Sequence, residues 1–128
     1  MSYTAACDHD YAPRFGGPRP KIVVLCGSTR FRAQFELANR NMTLAGYVVL
    51  APGVFGHADG VSLDDSVKAA LDALHLRKID LADMVLVVSD ASLYYGDSTR
   101  SEIAYAKKTG KRVSYWSSNS TSEVSDAR

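Results

Sequence analysis

The sequence predicts one α/β domain, a doubly wound parallel sheet of four to five strands in the order 2-1-3-4(-5) with helices on both faces. Three observations lead there. Short β-branched apolar runs alternate with longer segments of helical period, the pattern of a parallel sheet covered by crossover helices. The runs are continuously apolar, as expected of strands buried on both faces. The length of 128 residues suits a single hydrophobic core.

Strand one is 21–26 (KIVVLC), ending in Gly-Ser. Phe31, Phe35, Ala38, Met42 and Ala45 then form one helical stripe, with Ser28 as the expected N-cap and Gly46 as the stop. Strand two, 47–50, leads into the irregular loop APGVFGHADG. Ser62 opens a second helix, with Asp64 and Asp65 in its first turn, where the helix dipole favours acids. Leu63, Val67, Ala70, Leu71, Leu74 and Lys78 line one face of it, and it runs to about Leu81. Strand three is 84–88 (MVLVV), followed by the loop SDASLYYGD, a third helix from about Thr99 to Thr109 closed by Gly110, and strand four, 112–116. Residues 1–20 read as an irregular arm, 21–116 as the domain, and the Ser-rich 117–128 as a disordered tail.

Composition narrows the function. Fifteen Lys plus Arg against 14 Asp plus Glu leave a net charge of +1, which gives no electrostatic footprint for a nucleic-acid polymer or an anionic membrane. No run approaches the roughly 20 apolar residues of a membrane span, and no signal peptide is visible. Two cysteines, Cys7 and Cys26, make neither a disulfide framework nor a four-thiolate zinc site. The expectation is a cytoplasmic protein with a small-molecule partner. In a doubly wound sheet the ligand crevice lies at the carboxyl ends of the strands flanking the reversal, here strands one and three. That nominates the loops 27–30 and 89–98.

The turn Gly27-Ser28-Thr29-Arg30 places a residue without a β-carbon, two hydroxyls and a cation at the amino end of a helix, which suits a phosphate. Its plain alternative is an ordinary strand-to-helix cap. It lacks the spacing and lysine of a Walker loop. Cys26 to Arg32 also satisfies the C-x5-R spacing of a cysteine phosphatase, against a buried core cysteine as the alternative. Glu102, one turn into helix three, could stabilise or attack an anomeric carbon. Thr99-x-x-Glu102 is equally a capping box, in which the glutamate only satisfies a backbone N–H. His75 could donate a proton near neutral pH, although His75-x-Arg77-Lys78 also reads as a solvated basic face. His57 and Asp59 give only a weak metal signal, and no metal or cofactor is expected.

KIVVLCGSTRF, then HLRKIDLADMVLVV, then YYGDSTRSEIAYAKKTGKRV resemble the nucleoside 2-deoxyribosyltransferase-like superfamily, which includes the 2′-deoxynucleoside 5′-monophosphate N-glycosidases. The resemblance spans roughly 21–115. It implies a five-stranded parallel Rossmann-like sheet, usually in a homodimer whose partner chain completes the pocket. Only four strands are visible here, so a fifth comes from a terminal segment or is absent.

The resemblance further implies that Glu102 is the nucleophile at C1′. Gly27, Ser28 and the loop Gly96 to Ser98 fall on the sugar-phosphate pocket, with Thr29, Arg30, Tyr94, Tyr95 and Thr99 around the substrate. Relatives often carry an aspartate where this chain has His75. HLRK and G-x-S-T-x-x-E are also similar to motifs of the lonely-guy phosphoribohydrolases, which implies a place for Arg77 near the scissile bond. Two rival readings are a flavodoxin-like flavin reductase, from the G-S-T-R turn, and a nucleotide sensor that binds without cleaving.

Overall fold

The computed structural model describes residues 19–56, 60 and 62–117, and the backbone of Ser125–Asp126. Its elements run β1 (Ile22–Cys26), α1 (Arg32–Leu44), β2 (Val48–Leu50), α2 (Asp65–Leu81), β3 (Met84–Ser89), α3 (Asp97–Lys108), β4 (Arg112–Ser117) and β5 (Ser125–Asp126). The first four strands are parallel and lie in the order β2-β1-β3-β4, as the alternation of runs predicts. The two-residue β5 pairs antiparallel with β4, so the parallel sheet has four strands and not the five that the resemblance implies. The tail, expected to be disordered from 117, thus contributes Ser117 to β4 and Ser125–Asp126 to the sheet edge.

Both faces of the sheet are covered. Val23, Leu25, Leu86 and Val88 pack against Phe31, Phe35, Ala38 and Met42 of the α1 region. Val24, Cys26, Val85 and Val87 point the other way, against Ile79 of α2 and Ile103 and Ala106 of α3. Alternate residues of one strand therefore feed two cores, which is why β1 and β3 read as unbroken apolar runs. Each large side chain so buried stabilises the fold by roughly 1.5–3 kcal/mol.

Three local expectations change, each for a physical reason. Helix α1 begins after Phe31 with no side-chain cap, so Ser28 is not its N-cap. Ser28 instead closes a turn, its carbonyl accepting from Phe31 N at 3.0 Å and its hydroxyl from Arg30 N at 3.3 Å. Helix α2 is capped by Asp64, which accepts from Val67 N at 2.9 Å, rather than opened by Ser62. Its sheet-facing side is His75 and Ile79, whereas Val67, Leu74 and Leu81 are exposed. The helix is apolar on two sides, so periodicity alone selects the wrong stripe. Helix α3 begins at Asp97 behind Gly96, two residues earlier than expected.

Gly27 fixes the junction that shapes the crevice. Its φ is +149°, and a β-carbon there would lie 2.4 Å from the carbonyl oxygen of Val88. No other residue allows β1 to leave the sheet so close to the backbone of β3. The turn 27–30 and the loop after β3 are thereby held side by side. Among the described residues, no helix is long and apolar enough to cross a membrane.

Candidate functional site

A cavity of about 690 Å³ opens at the carboxyl ends of β1 and β3. The turn Gly27-Ser28-Thr29-Arg30 forms one wall, and Tyr94, Gly96, Ser98 and Thr99 form the opposite one. Helix α2 contributes Lys68, Asp72 and His75, and Glu102 of α3 lies among them. Most of the residues nominated from sequence are thus brought together. Arg30 caps the mouth, its guanidinium carbon 4.5 Å from the Tyr94 ring centroid. Phe31 meets the same ring edge-on, with centroids 6.3 Å apart.

Arg77 and Tyr95 lie elsewhere. Arg77 pairs with Asp80 at 3.1 Å and donates to the Tyr105 hydroxyl at 3.3 Å on the outer surface of α2 and α3. Two residues after His75, the helix has turned this side chain about 200° away from the stripe that carries His75. Tyr95 packs with Tyr115 against the second core and lies under Arg100. Of the two adjacent tyrosines, Tyr94 lines the cavity and Tyr95 does not. His57 and Asp59 fall outside the described residues.

The capping-box alternative for Glu102 does not form. With α3 starting at Asp97, Thr99 is inside the first turn and Glu102 is the sixth helical residue, where its side chain has no helix end to cap. Its side chain is only 12% exposed. The carboxylate Oε1 lies 3.9 Å from His75 Nε2, and His75 Nε2 lies 3.3 Å from Cys26 Sγ. Ligand atoms of Cys26, His75 and Glu102 all fall within 4.8 Å of one another. The thiol has one proton and two acceptors in reach, the imidazole and the carboxylate.

Burial sets the protonation of this cluster. It pushes Glu102 up to about 7, with Asp72 adding to the rise while the Cys26 hydrogen bond and Lys68 oppose it. It lowers His75 to about 4, helped by the charge of Lys78 and opposed by Asp72 and by the Leu25 carbonyl. The Cys26 thiol is fully buried and held well above its usual range, first by burial and then by Glu102. The C-x5-R spacing therefore makes no phosphatase cradle. Its cysteine is a buried thiol, and its Arg32 pairs with Glu36 on the exposed side of α1.

Lys68 and Asp72 were not singled out from sequence. They lie 3.2 Å apart, and Lys68 Nζ reaches the Ser98 hydroxyl at 3.4 Å, tying α2 to the uncapped amino end of α3. Together with His75 they occupy the i, i+4, i+7 positions of one helix face. That polar stripe was the available signal, masked by the apolar stripe beside it.

The cavity can hold a compact ligand with an anionic end near Lys68, Arg30 and the amino end of α3, and present a buried carboxyl to its centre. No protein-family model and no curated protein matches the chain.

Proposed function

We propose that this protein cleaves, or transfers across, the N-glycosidic bond of a nucleoside 5′-monophosphate or a (deoxy)nucleoside, with Glu102 as the group that attacks or stabilises C1′. The observation that carries the reading is the position of Glu102. It is a buried carboxyl with no capping duty, on the floor of a nucleotide-sized cavity, facing a wall of phosphate-compatible groups. As C1′ loses its bond to the base it gains positive charge, and an ionised carboxylate in a water-poor site stabilises that charge strongly. The 5′-phosphate sits by Lys68, Ser98 and the Gly27 to Arg30 turn. Tyr94, held by Arg30 and Phe31, offers its face to the sugar or base.

Protonation of the departing base falls to water. His75 is a poor donor, because burial keeps its ring neutral at pH 7 and its Nε2 meets the Cys26 thiol. Water then completes hydrolysis, or a second base completes transfer. A homodimer fits the exposed stripe Val67, Leu74 and Leu81 on α2, whose seven-residue spacing keeps it on one side of the helix beside the cavity.

The test is incubation with mixed ribo- and deoxyribonucleoside monophosphates, with and without an acceptor base, followed by chromatography. Free base that disappears in Glu102→Ala and Glu102→Gln supports the reading. Unchanged base release in both variants overturns it. Tight nucleotide binding without base release by the folded wild-type protein favours a sensor instead.

A further inference from the structure

We propose that Cys26, His75 and Glu102 form a binding site for a thiophilic divalent cation of the zinc class. The three residues come from β1, α2 and α3, so the fold, and no local sequence motif, assembles one sulfur, one nitrogen and one oxygen ligand. Cysteine sulfur, histidine nitrogen and a carboxylate oxygen are each zinc ligands, and three protein ligands with one open position is the count of a catalytic zinc site. Zinc-ligand lengths of about 2.0–2.3 Å at tetrahedral angles place neighbouring ligand atoms about 3.3–3.6 Å apart. Cys26 Sγ and His75 Nε2 are already at 3.3 Å. His75 Nε2 and Glu102 Oε1, at 3.9 Å, need to close by only about half an ångström, which rotation of the carboxylate supplies.

The surroundings favour the same assignment. The Leu25 carbonyl acts on the His75 ring as a hydrogen-bond acceptor, which leaves Nε2 as the nitrogen turned to the cluster. Thiolate, carboxylate and neutral imidazole around a dication sum to zero charge, the balance a buried site tolerates best. Binding sends the thiol proton, and the carboxyl proton where present, to solvent. His75 and Glu102 line the cavity whereas Cys26 lies beneath them, so the fourth position faces the open volume.

The consequence for catalysis rests on the glycosidase reading. A carboxylate committed to the cation cannot attack C1′, so the metal-loaded protein is the silent form. The site itself does not depend on that reading.

The experiment uses the full chain carrying Cys7→Ser, so that Cys26 is its sole thiol. Protein stripped with chelator is titrated with zinc against a chromophoric competitor, then with cobalt while the absorbance is recorded. The expected result is one cation per chain and, for cobalt, a thiolate-to-metal charge-transfer band in the near ultraviolet with intense tetrahedral visible bands. Adding Cys26→Ser or His75→Gln weakens zinc binding by at least about tenfold. Cobalt spectra without the charge-transfer band, or zinc affinity unchanged by both substitutions, overturn the proposal. Should either variant fail to fold, the cobalt spectrum of the single-thiol protein decides alone. Base release measured separately, with and without zinc, tests only the catalytic consequence.

Discussion

His75 Nε2 lies 3.9 Å from Glu102 Oε1, yet the two do not form a charged pair at neutral pH. Burial lowers the imidazole to about 4 and raises the carboxyl to about 7, so each favours its uncharged form. A formal ion pair at this distance would require both groups to ionise where neither is well solvated. The cluster is therefore a nearly neutral, buried set of donors and acceptors, with Cys26 beneath it and Asp72 and Lys68 beside it.

Opposite pH dependences of stability follow for the metal-free protein. Glu102, raised from 4.5 to about 7, contributes stability that is complete below 4.5 and lost as the pH rises through 7. Glu102→Gln removes that loss, so at pH 8 the variant should exceed the wild type by on the order of 3 kcal/mol. His75, lowered from 6.5 to about 4, contributes stability that is complete above 6.5 and lost as the pH falls through 4. His75→Gln should flatten the acid side of the profile. Urea denaturation of the three proteins from pH 4 to 8 checks both slopes.

Catalysis should need ionised Glu102. In the wild type kcat/KM should rise with pH through an apparent pKa near 7, the value to which burial pushes this carboxyl. Glu102→Ala should lower base release by about a thousandfold or more. Arg77→Ala should leave it within about twofold, because Arg77 sits with Asp80 and Tyr105 outside the cavity. Steady-state rates over a pH series read all three outcomes.

Lys68→Ala should penalise phosphorylated substrates selectively. Removing a cation from the wall shared with Ser98 should raise KM for a nucleoside 5′-monophosphate by about tenfold, a loss near 1.4 kcal/mol, and leave the unphosphorylated nucleoside almost unaffected. Equal effects on both substrates would place the phosphate elsewhere.

Gly27→Ala should destabilise the fold by about 2–4 kcal/mol. Its φ of +149° and the Val88 carbonyl, 2.4 Å from the added carbon, leave strain or strand displacement as the only outcomes. Chemical denaturation, read beside Gly53→Ala, which shares the positive φ but meets no atom within 4 Å, separates the clash from the backbone term.

The α2 stripe should govern association. Leu74→Glu together with Leu81→Glu changes two side chains that are 52% and 67% exposed, so folding should survive. Light scattering coupled to gel filtration should show the wild type as a dimer and the variant as a monomer. A wild-type monomer at all concentrations would remove the dimer from the account.

The order of the sheet and the place of the crevice were legible in the sequence because they depend on patterns that survive local error. Continuous apolar runs mark buried parallel strands wherever their ends fall, and right-handed crossovers leave few ways to connect them. Helix starts were less legible. Ser28 and Thr99 are good capping residues by type, but the close approach of Gly27 to β3 and the earlier start of α3 at Asp97 assign both to turn and cavity wall. Arg77 and Tyr95 were drawn to the site by motif, but the helical period turns Arg77 to the outer surface and Tyr95 packs with Tyr115 against the second core.

By itself the sequence determined the elements, their parallel order and the two loops that meet at the reversal, since these follow from periodicity and chain connectivity. It also pointed to Glu102, though not to whether that residue caps a helix or lines the cavity. Only the tertiary structure decided that, by starting α3 two residues early. It alone brought Cys26, His75 and Glu102, which are 49 and 27 residues apart in turn, within 4.8 Å of one another. The physical reason is that burial and charge are properties of the assembled surroundings. No local pattern in the chain records that His75 is held neutral or that the Glu102 carboxyl is raised to about 7, because both shifts arise from residues that only packing makes neighbours.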